Sequence, residues 1–316
     1  SIEYDKDEYS PGDTMSARIT FNVLRSPKSV CSAELSVKGY SIVRFDQTEY
    51  RTTKEYTSIH TYFSELKFLL CTRPGEEPII LPVGEHTFDF KFILPESCDS
   101  SYRKKIGKIK YETKIVIKRP FFKTDIEFTK EFKVYRPVDL GEFCSPGLPE
   151  AETFNFRFLP FFQVGSITLE GNVRDYYLPG QTIYLEASIC NRSPRTINSI
   201  EIRLVEFSKF SGMYNGNEHE KIRKTKVVDI SQRIQIAAGS DYSFAKEVIF
   251  PKLMHIRNKN INVNYYLELF VFASYGTNAS VKIPVFIGSK NDVRLLIFVH
   301  FFTSIFTGSA IIFQPR

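Results

Sequence analysis

The chain has 316 residues, of which 42% are hydrophobic and 15% are aromatic. This length allows two ordinary domains, and the apolar content is too high for a disordered chain. A formal charge of +6 and a pI near 8.9 favour acidic partners, such as phosphorylated peptides or anionic lipid headgroups. Because 36 acidic residues interleave with the 42 basic ones, net charge alone does not choose between these partners.

Cysteine usage indicates the compartment. The five cysteines are widely spaced and form no C-x-x-C pair: Cys31, Cys71, Cys98, Cys144 and Cys190. This spacing favours neither a zinc site nor a dense disulfide framework, so an intracellular, reduced setting is the simpler interpretation. Glycosylation tripeptides begin at Asn191 and Asn278, but they matter only in a secreted chain. The N-terminal residues lack the basic and apolar regions of a signal peptide.

The first 140 residues alternate between apolar and polar side chains with the period of β-strands. A turn at residues 9–14 leads into a strand predicted over residues 15–23, and a second strand is predicted over residues 31–37. Residues 46–66 are polar and rich in hydroxyl groups, which predicts a long loop or weak edge strands. A further strand is predicted over residues 126–134, before Pro137.

The clearest alternation lies in residues 81–119, where two runs face each other across a turn-rich break. In the first run one face is apolar, with Phe88, Phe90, Phe92 and Leu94. In the second run one face carries Ile109, Tyr111, Thr113, Ile115 and Ile117, and the opposite face carries lysines. Each run therefore predicts a half-buried strand.

The second half of the chain repeats the first. Residues 177–182 (YLPGQT) match residues 9–14 (YSPGDT) at an offset of 168, and three further matches follow in the same order. Between the halves, residues 139–163 carry three prolines, two glycines and no sustained period, which is typical of a connector. We therefore expect two tandem antiparallel, immunoglobulin-like β-sandwiches at residues 1–138 and 164–289, followed by an apolar tail at residues 290–316.

Several motifs occur in a specific order. Y-x-P-G-[DQ] precedes a strand, L-x-x-G-x-x-x-F-x-F-x-F-x-L-P covers residues 81–95, Ser100-Ser101 follows, and G-x-I-x-Y begins at Gly107. The second half closes with I-P-V-F-I-G at residues 283–288. This order resembles the arrestin family, most closely its α-arrestin, or arrestin-domain-containing, branch, over about residues 1–289. The resemblance implies an arrestin-like all-β fold with two sandwiches.

The resemblance also implies a function. Proteins of this family are cytosolic adaptors, peripheral at the plasma membrane and endosomes, that bind membrane receptors or transporters and direct their endocytosis, endosomal sorting or ubiquitination. The family's α branch usually recruits ubiquitin ligases through P-P-x-Y motifs, but no P-x-Y occurs in these 316 residues. This departure from the family pattern speaks against ligase recruitment through a P-P-x-Y motif of this polypeptide. The alternatives are an extracellular or membrane-anchored β-sandwich adhesion or receptor fragment and a structural coat subunit.

No enzyme site is predicted. The five histidines are isolated, no phosphate-binding loop is present, and the residues indicate no catalytic group, cofactor or metal ligand. Nucleic acid fits poorly, because the aromatic residues alternate on strand faces and are expected in the core.

One basic cluster has a regular spacing, and we single it out as the candidate site for phosphorylated cargo tails or anionic lipid. It consists of Lys104, Lys105, Lys108, Lys110, Lys114, Lys118 and Arg119. Alternate residues of a strand stand about 6.6 Å apart on one face, near the spacing of phosphates along a modified tail. A solvated outer face, kept soluble by lysines, explains the same pattern without any binding.

The tail is unusual in composition. Residues 295–313 contain no formal charge and just reach the length that spans a bilayer. They fit a segment packed on the second domain, a C-terminal membrane anchor, or a terminus that is not the natural one.

Overall fold

The computed structural model describes residues 1–49, 51–73, 75–120, 123–137, 150–157, 163–173, 177–178, 180–249, 251, 253–274 and 277–287. All regular elements of these residues are β-strands, which confirms the predicted all-β class. Within the same residues, no helix is long and apolar enough to cross a bilayer. The apolar segment at residues 295–313 lies outside the described residues.

The described residues form two compact units. The first unit comprises Ser1–Arg136, Ser208–Ile222 and Ile256–Asn262, and the second comprises the described residues of Pro137–Phe207, Arg223–His255 and Val263–Arg316. The strands up to residue 136 are β1 (Ile2–Tyr4), β2 (Glu8–Tyr9), β3 (Thr14–Val23), β4 (Lys28–Val30), β5 (Ser32–Glu49), β6 (Thr52–Cys71), β7 (Ile79–Leu81), β8 (Gly84–Ile93), β9 (Tyr102–Arg103), β10 (Gly107–Lys118) and β11 (Ile126–Val134).

Two sheets form the sandwich of the first unit. Strands β1, β3 and β8 make one antiparallel sheet. Strands β6, β5, β10 and β11 make the other in that order, with β9 on β10 and β2 running parallel to β11. Strands β4 and β7 form a separate two-stranded ribbon. The apolar faces predicted for β3, β8 and β10 supply buried side chains such as Ile19, Phe90 and Tyr111.

The structure refines two expectations in this unit. The two runs of residues 81–119 are β8 and β10, and they lie in different sheets, where β8 pairs with β3 and β10 pairs with β5 and β11. Residues 46–66, predicted as a long loop or weak edge strands, belong to a long β5–β6 hairpin that pairs from Ser32–Cys71 out to Glu49–Thr52. Pairing across the hairpin satisfies the backbone there, although the side chains are largely polar.

The strands after β11 are β12 (Glu150–Arg157), β13 (Gln163–Asn172), β14 (Ile183–Asn191), β15 (Ile197–Tyr214), β16 (Asn217–Ile236), β17 (Asp241–Val248), β18 (Ile256–Arg257), β19 (Ile261–Ala273) and β20 (Thr277–Val285). Strands β12, β13, β14 and β17 form one antiparallel sheet in that order. Strand β19 pairs with β20 and β15, and β16 pairs with β15. Within the predicted connector at residues 139–163, strand β12 pairs with β13.

The repeat seen in the sequence is visible in the backbone. Gly12 and Gly180 occupy equivalent turns with φ of 82° and 85°, the left-handed region that glycine adopts without steric cost. In each turn the side chain of the next residue, Asp13 or Gln181, accepts a hydrogen bond of 3.1 or 3.0 Å from the backbone N–H at the start of the turn. Strands β5 and β15 both have 18 residues, and β6 and β16 both have 20.

Candidate anion-binding surface

The basic cluster lies on and beside β10 in the first unit. Alternation along β10 buries Ile109, Tyr111 and Ile115 and directs the lysines to the opposite face, as predicted. Four members of the cluster are on this strand: Lys108, Lys110, Lys114 and Lys118. Lys104 and Lys105 lie in the turn from β9 to β10, and Arg119 follows the strand. We call these seven residues the basic strip.

Three lysines of the basic strip face carboxylates on the neighbouring strands. The Nζ atoms of Lys110, Lys114 and Lys118 lie 2.6, 2.7 and 2.6 Å from carboxylate oxygens of Glu131, Glu127 and Glu34, respectively. Strand register explains these pairs, because Glu127 and Glu131 lie on β11 and Glu34 lies on β5, which flank β10 on its two sides. This part of the strip is therefore internally neutralised.

The ion pairs of the basic strip shift the pKa values of their members, and Glu131 is the clearest example. Its carboxylate accepts from both Lys110 and Arg103. The hydrogen bond from Lys110 lowers the pKa of Glu131, and the same contact raises the pKa of Lys110. The hydrogen bond to Glu34 likewise raises the pKa of Lys118. These shifts favour the charged forms of Glu131, Lys110 and Lys118, so an incoming anion meets lysines that already contact carboxylates.

Lys105, Lys108 and Arg119 differ from these three lysines in their partners. Lys105 and Lys108 are exposed, and neither forms an ion pair within the described part of the chain. Arg119 is turned toward its own loop, where its Nε donates to the carbonyl oxygen of Thr124 at 2.7 Å. Within the strip, Lys105 in the β9–β10 turn and Lys108 near the start of β10 are therefore the cations most accessible to an external anion.

Sequence reasoning missed a polar network in the first unit that centres on Asp99, which is only 8% exposed. The hydroxyl of Tyr62 donates to the Asp99 carboxylate at 2.7 Å, and the hydroxyl of Tyr111 donates to the Asp99 carbonyl at 2.7 Å. Asn258 donates to the Tyr62 hydroxyl at 3.0 Å, and Arg136 lies 3.7 Å from the carboxylate. Burial, with the Asp99 charge second, raises the pKa of Tyr62. The network ties the segment that precedes β9 to β6 and β10.

Comparison with known families gives two matches in tandem. Residues 1–141 match the family described as Arrestin (or S-antigen), N-terminal domain. Residues 173–291 match the family described as Arrestin (or S-antigen), C-terminal domain. The two matches follow the same order as the repeated halves of the sequence.

Individual proteins similar to this chain support the same family. The chain is 27% identical to Arrestin domain-containing protein 17 of Caenorhabditis elegans over 312 residues, which cover 92% of this chain and 69% of that protein. It is 24% identical to human Arrestin domain-containing protein 1 and 28% identical to human Arrestin domain-containing protein 4, over 66% and 60% of this chain. The chain spans about half the length of each human relative, 47% in both cases. This chain therefore belongs to the arrestin family, in its α-arrestin, or arrestin-domain-containing, branch.

Proposed function

We propose that this arrestin-like chain is an adaptor that binds cytosolic segments of membrane receptors or transporters and directs their endocytosis, endosomal sorting or ubiquitination. The observation that carries the proposal is the pair of arrestin domains in tandem, which cover residues 1–141 and 173–291. Adaptors of this family bind partners without performing chemistry on them, and we extend that property to this chain. The proposed location is the cytoplasm, at the surfaces of the plasma membrane and endosomes.

The proposed contact with cargo is electrostatic at the basic strip. A phosphorylated tail carries about −1.5 to −2 charge per phosphate and offers oxygens that accept charge-assisted hydrogen bonds. Lys105 and Lys108 would meet the first phosphate, because they are exposed and form no ion pair within the described residues. Further phosphates would compete with Glu127, Glu131 and Glu34 for the lysines of β10. An extended tail would also suit pairing along an open strand edge.

Charge reversal at the two accessible lysines tests this contact. We expect Lys105→Glu with Lys108→Glu to weaken binding of a labelled peptide that carries three phosphoserines at alternate positions. The loss should be about tenfold or more at low ionic strength, because two charge-assisted contacts become repulsions that salt screens only weakly there. Fluorescence anisotropy measures the affinity.

The matched control changes the same charge elsewhere. Lys91→Glu with Lys246→Glu reverses two exposed lysines, on β8 and β17. This control should retain most of the affinity of the wild type. Equal losses in the two double variants, or no loss in the first, would remove the basic strip from the proposal.

A second variant should strengthen binding. Glu127→Gln removes the carboxylate that occupies Lys114, so the phosphopeptide affinity should rise by about 1.5- to 5-fold, since exposed ion pairs contribute roughly 0.2–1 kcal/mol. The control is Asp89→Asn, which breaks an exposed pair with Arg18 on the other sheet. If the two substitutions change the affinity alike, then the carboxylates of β11 do not compete with the peptide.

A further inference from the structure

The first unit exposes three large apolar side chains in and next to the β4–β7 ribbon. Leu24, Ile80 and Val83 are 76%, 66% and 52% exposed. Leu24 and Val83 each lie one residue beyond the last pair of β3 and β8, Val23 with Gly84, so they are neighbours at the end of that ladder. Ile80 lies on β7, where it pairs with Ser29 of β4. We call these three residues the apolar tip.

The β4–β7 ribbon next to the apolar tip packs into a small buried cluster. Val23, Val30 and Leu81 are buried together, with Leu70 and Ile117 packed against them. The tip is therefore not part of this core, because strand alternation sends Ile80 to the face opposite Leu81. Leu24, Ile80 and Val83 therefore present apolar surface to solvent beside this packed cluster, and clustered exposed apolar side chains mark interaction sites.

The charges around the tip indicate which partner fits. Arg25 and Lys28 follow Leu24 in the segment that leads into β4, both are exposed, and neither forms an ion pair within the described residues. In residues 22–30 and 79–86 the acidic side chains amount to Glu85 alone, against these two basic ones. Basic side chains beside exposed aliphatic ones match the boundary between anionic headgroups and acyl chains of a bilayer.

The backbone of the tip also suits a layer poor in water. Pro27 and Pro82 lie in the two connecting segments and have no N–H to desolvate. The carbonyl oxygen of Pro82 lies 2.9 Å from the Nε2 atom of His86, which satisfies one acceptor without water. Inserting the tip therefore leaves fewer unpaired backbone groups than an ordinary loop of this size.

From these contacts we infer that the apolar tip is a membrane-docking element, which inserts Leu24, Ile80 and Val83 into an anionic bilayer surface while Arg25 and Lys28 contact the headgroups. This inference goes beyond cargo binding and does not require the basic strip to bind anything. It would hold the first unit at the membrane surface through a site other than the strip.

The chain contains no tryptophan, which provides a direct test. Leu24→Trp should shift its emission to the blue with vesicles that contain phosphatidylserine, and brominated lipids should quench it. The control is Ile93→Trp, because Ile93 is 67% exposed and lies at the far end of β8, about 30 Å from Gly84. A shift at Leu24→Trp alone supports the inference, whereas no shift there or an equal shift at both positions overturns it.

Sedimentation with the same vesicles gives a second measurement. The triple variant Leu24→Ser, Ile80→Ser and Val83→Ser should bind at least about tenfold less, whereas Leu66→Ser with Ile93→Ser, two apolar residues exposed elsewhere, should bind like the wild type. Unchanged sedimentation of the triple variant would contradict insertion. A blue shift of Leu24→Trp that grows with protein concentration without vesicles would show self-association instead and overturn the inference.

A combined variant distinguishes membrane binding by the apolar tip from membrane binding by the basic strip. In the Lys105→Glu, Lys108→Glu background, the Leu24→Trp shift should persist if the tip alone inserts. Its disappearance there would show that the strip carries membrane binding, and the inference would fail while the proposed anion binding stood.

Discussion

Replacing Asn191 by aspartate is expected to destabilise the second unit by about 3 kcal/mol or more, one of the largest effects of a single substitution in this chain. The Asn191 side chain is fully buried, and its Nδ2 donates to the carbonyl oxygens of Arg195, Ile236 and Ala237 at 2.8, 3.2 and 3.0 Å. An ionised aspartate has no donor for these oxygens and places a negative charge against them. Unfolding in urea, followed by far-ultraviolet circular dichroism, measures the loss.

Asn198→Asp is the matched control. Asn198 is exposed, and among the described residues its amide donates to Ser274 Oγ alone, at 3.3 Å, so the stability should change by less than about 0.5 kcal/mol. Similar small changes for both substitutions would mean that the three carbonyl contacts contribute little.

The same geometry argues against a glycan at Asn191. The Nδ2 atom that a glycan would be attached to is buried and already donates to backbone carbonyl oxygens.

Substitution of Gly39 by alanine should destabilise the first unit by about 1–3 kcal/mol, and substitution by valine should cost more. A Cβ atom on Gly39 would lie 2.6 Å from Phe63 and 2.7 Å from Tyr111, closer than packed carbon atoms allow. The two rings lie across Gly39 with centroids 6.0 Å apart, on the strands that pair with β5 on either side. Tyr111 cannot move away easily, because its hydroxyl is bonded to Asp99.

A double variant shows whether crowding is the cause. Phe63→Leu removes one ring that crowds the new methyl group, so it should cost less in a Gly39→Ala background than in the wild type. Lys38→Ala, at the neighbouring exposed position, should leave the urea midpoint nearly unchanged. Additive effects of Gly39→Ala and Phe63→Leu would contradict the packing explanation.

The all-β class could be predicted because strands such as β3, β10 and β14 bury one face, which gives segments such as residues 109–117 an apolar period of two. The equivalent glycine turns were also predictable, since Gly12 and Gly180 stand at matching positions of the repeat. The β5–β6 hairpin was harder to predict, because its polar outer residues carry little apolar signal and pairing between its two strands stabilises them. Strand β12 was not predicted for a similar reason. Its residues show no sustained apolar period, and pairing with β13 stabilises them as a strand.

The basic strip was predictable in part. Alternation showed that its lysines share a face, but it could not show that Lys110 and Lys114 would meet Glu131 and Glu127. Those contacts depend on the register between β10 and β11, which is a tertiary property. The Asp99 network was missed because its members are dispersed along the sequence and a single aspartate in a turn carries no signal.

Proximity labelling in the native cell tests the proposed adaptor function most directly. The wild-type chain should label the cytosolic segments of receptors or transporters, and this labelling should fall for Lys105→Glu with Lys108→Glu but not for Lys91→Glu with Lys246→Glu. A wild-type partner set without membrane proteins would contradict the account, as would identical partner sets for the two double variants.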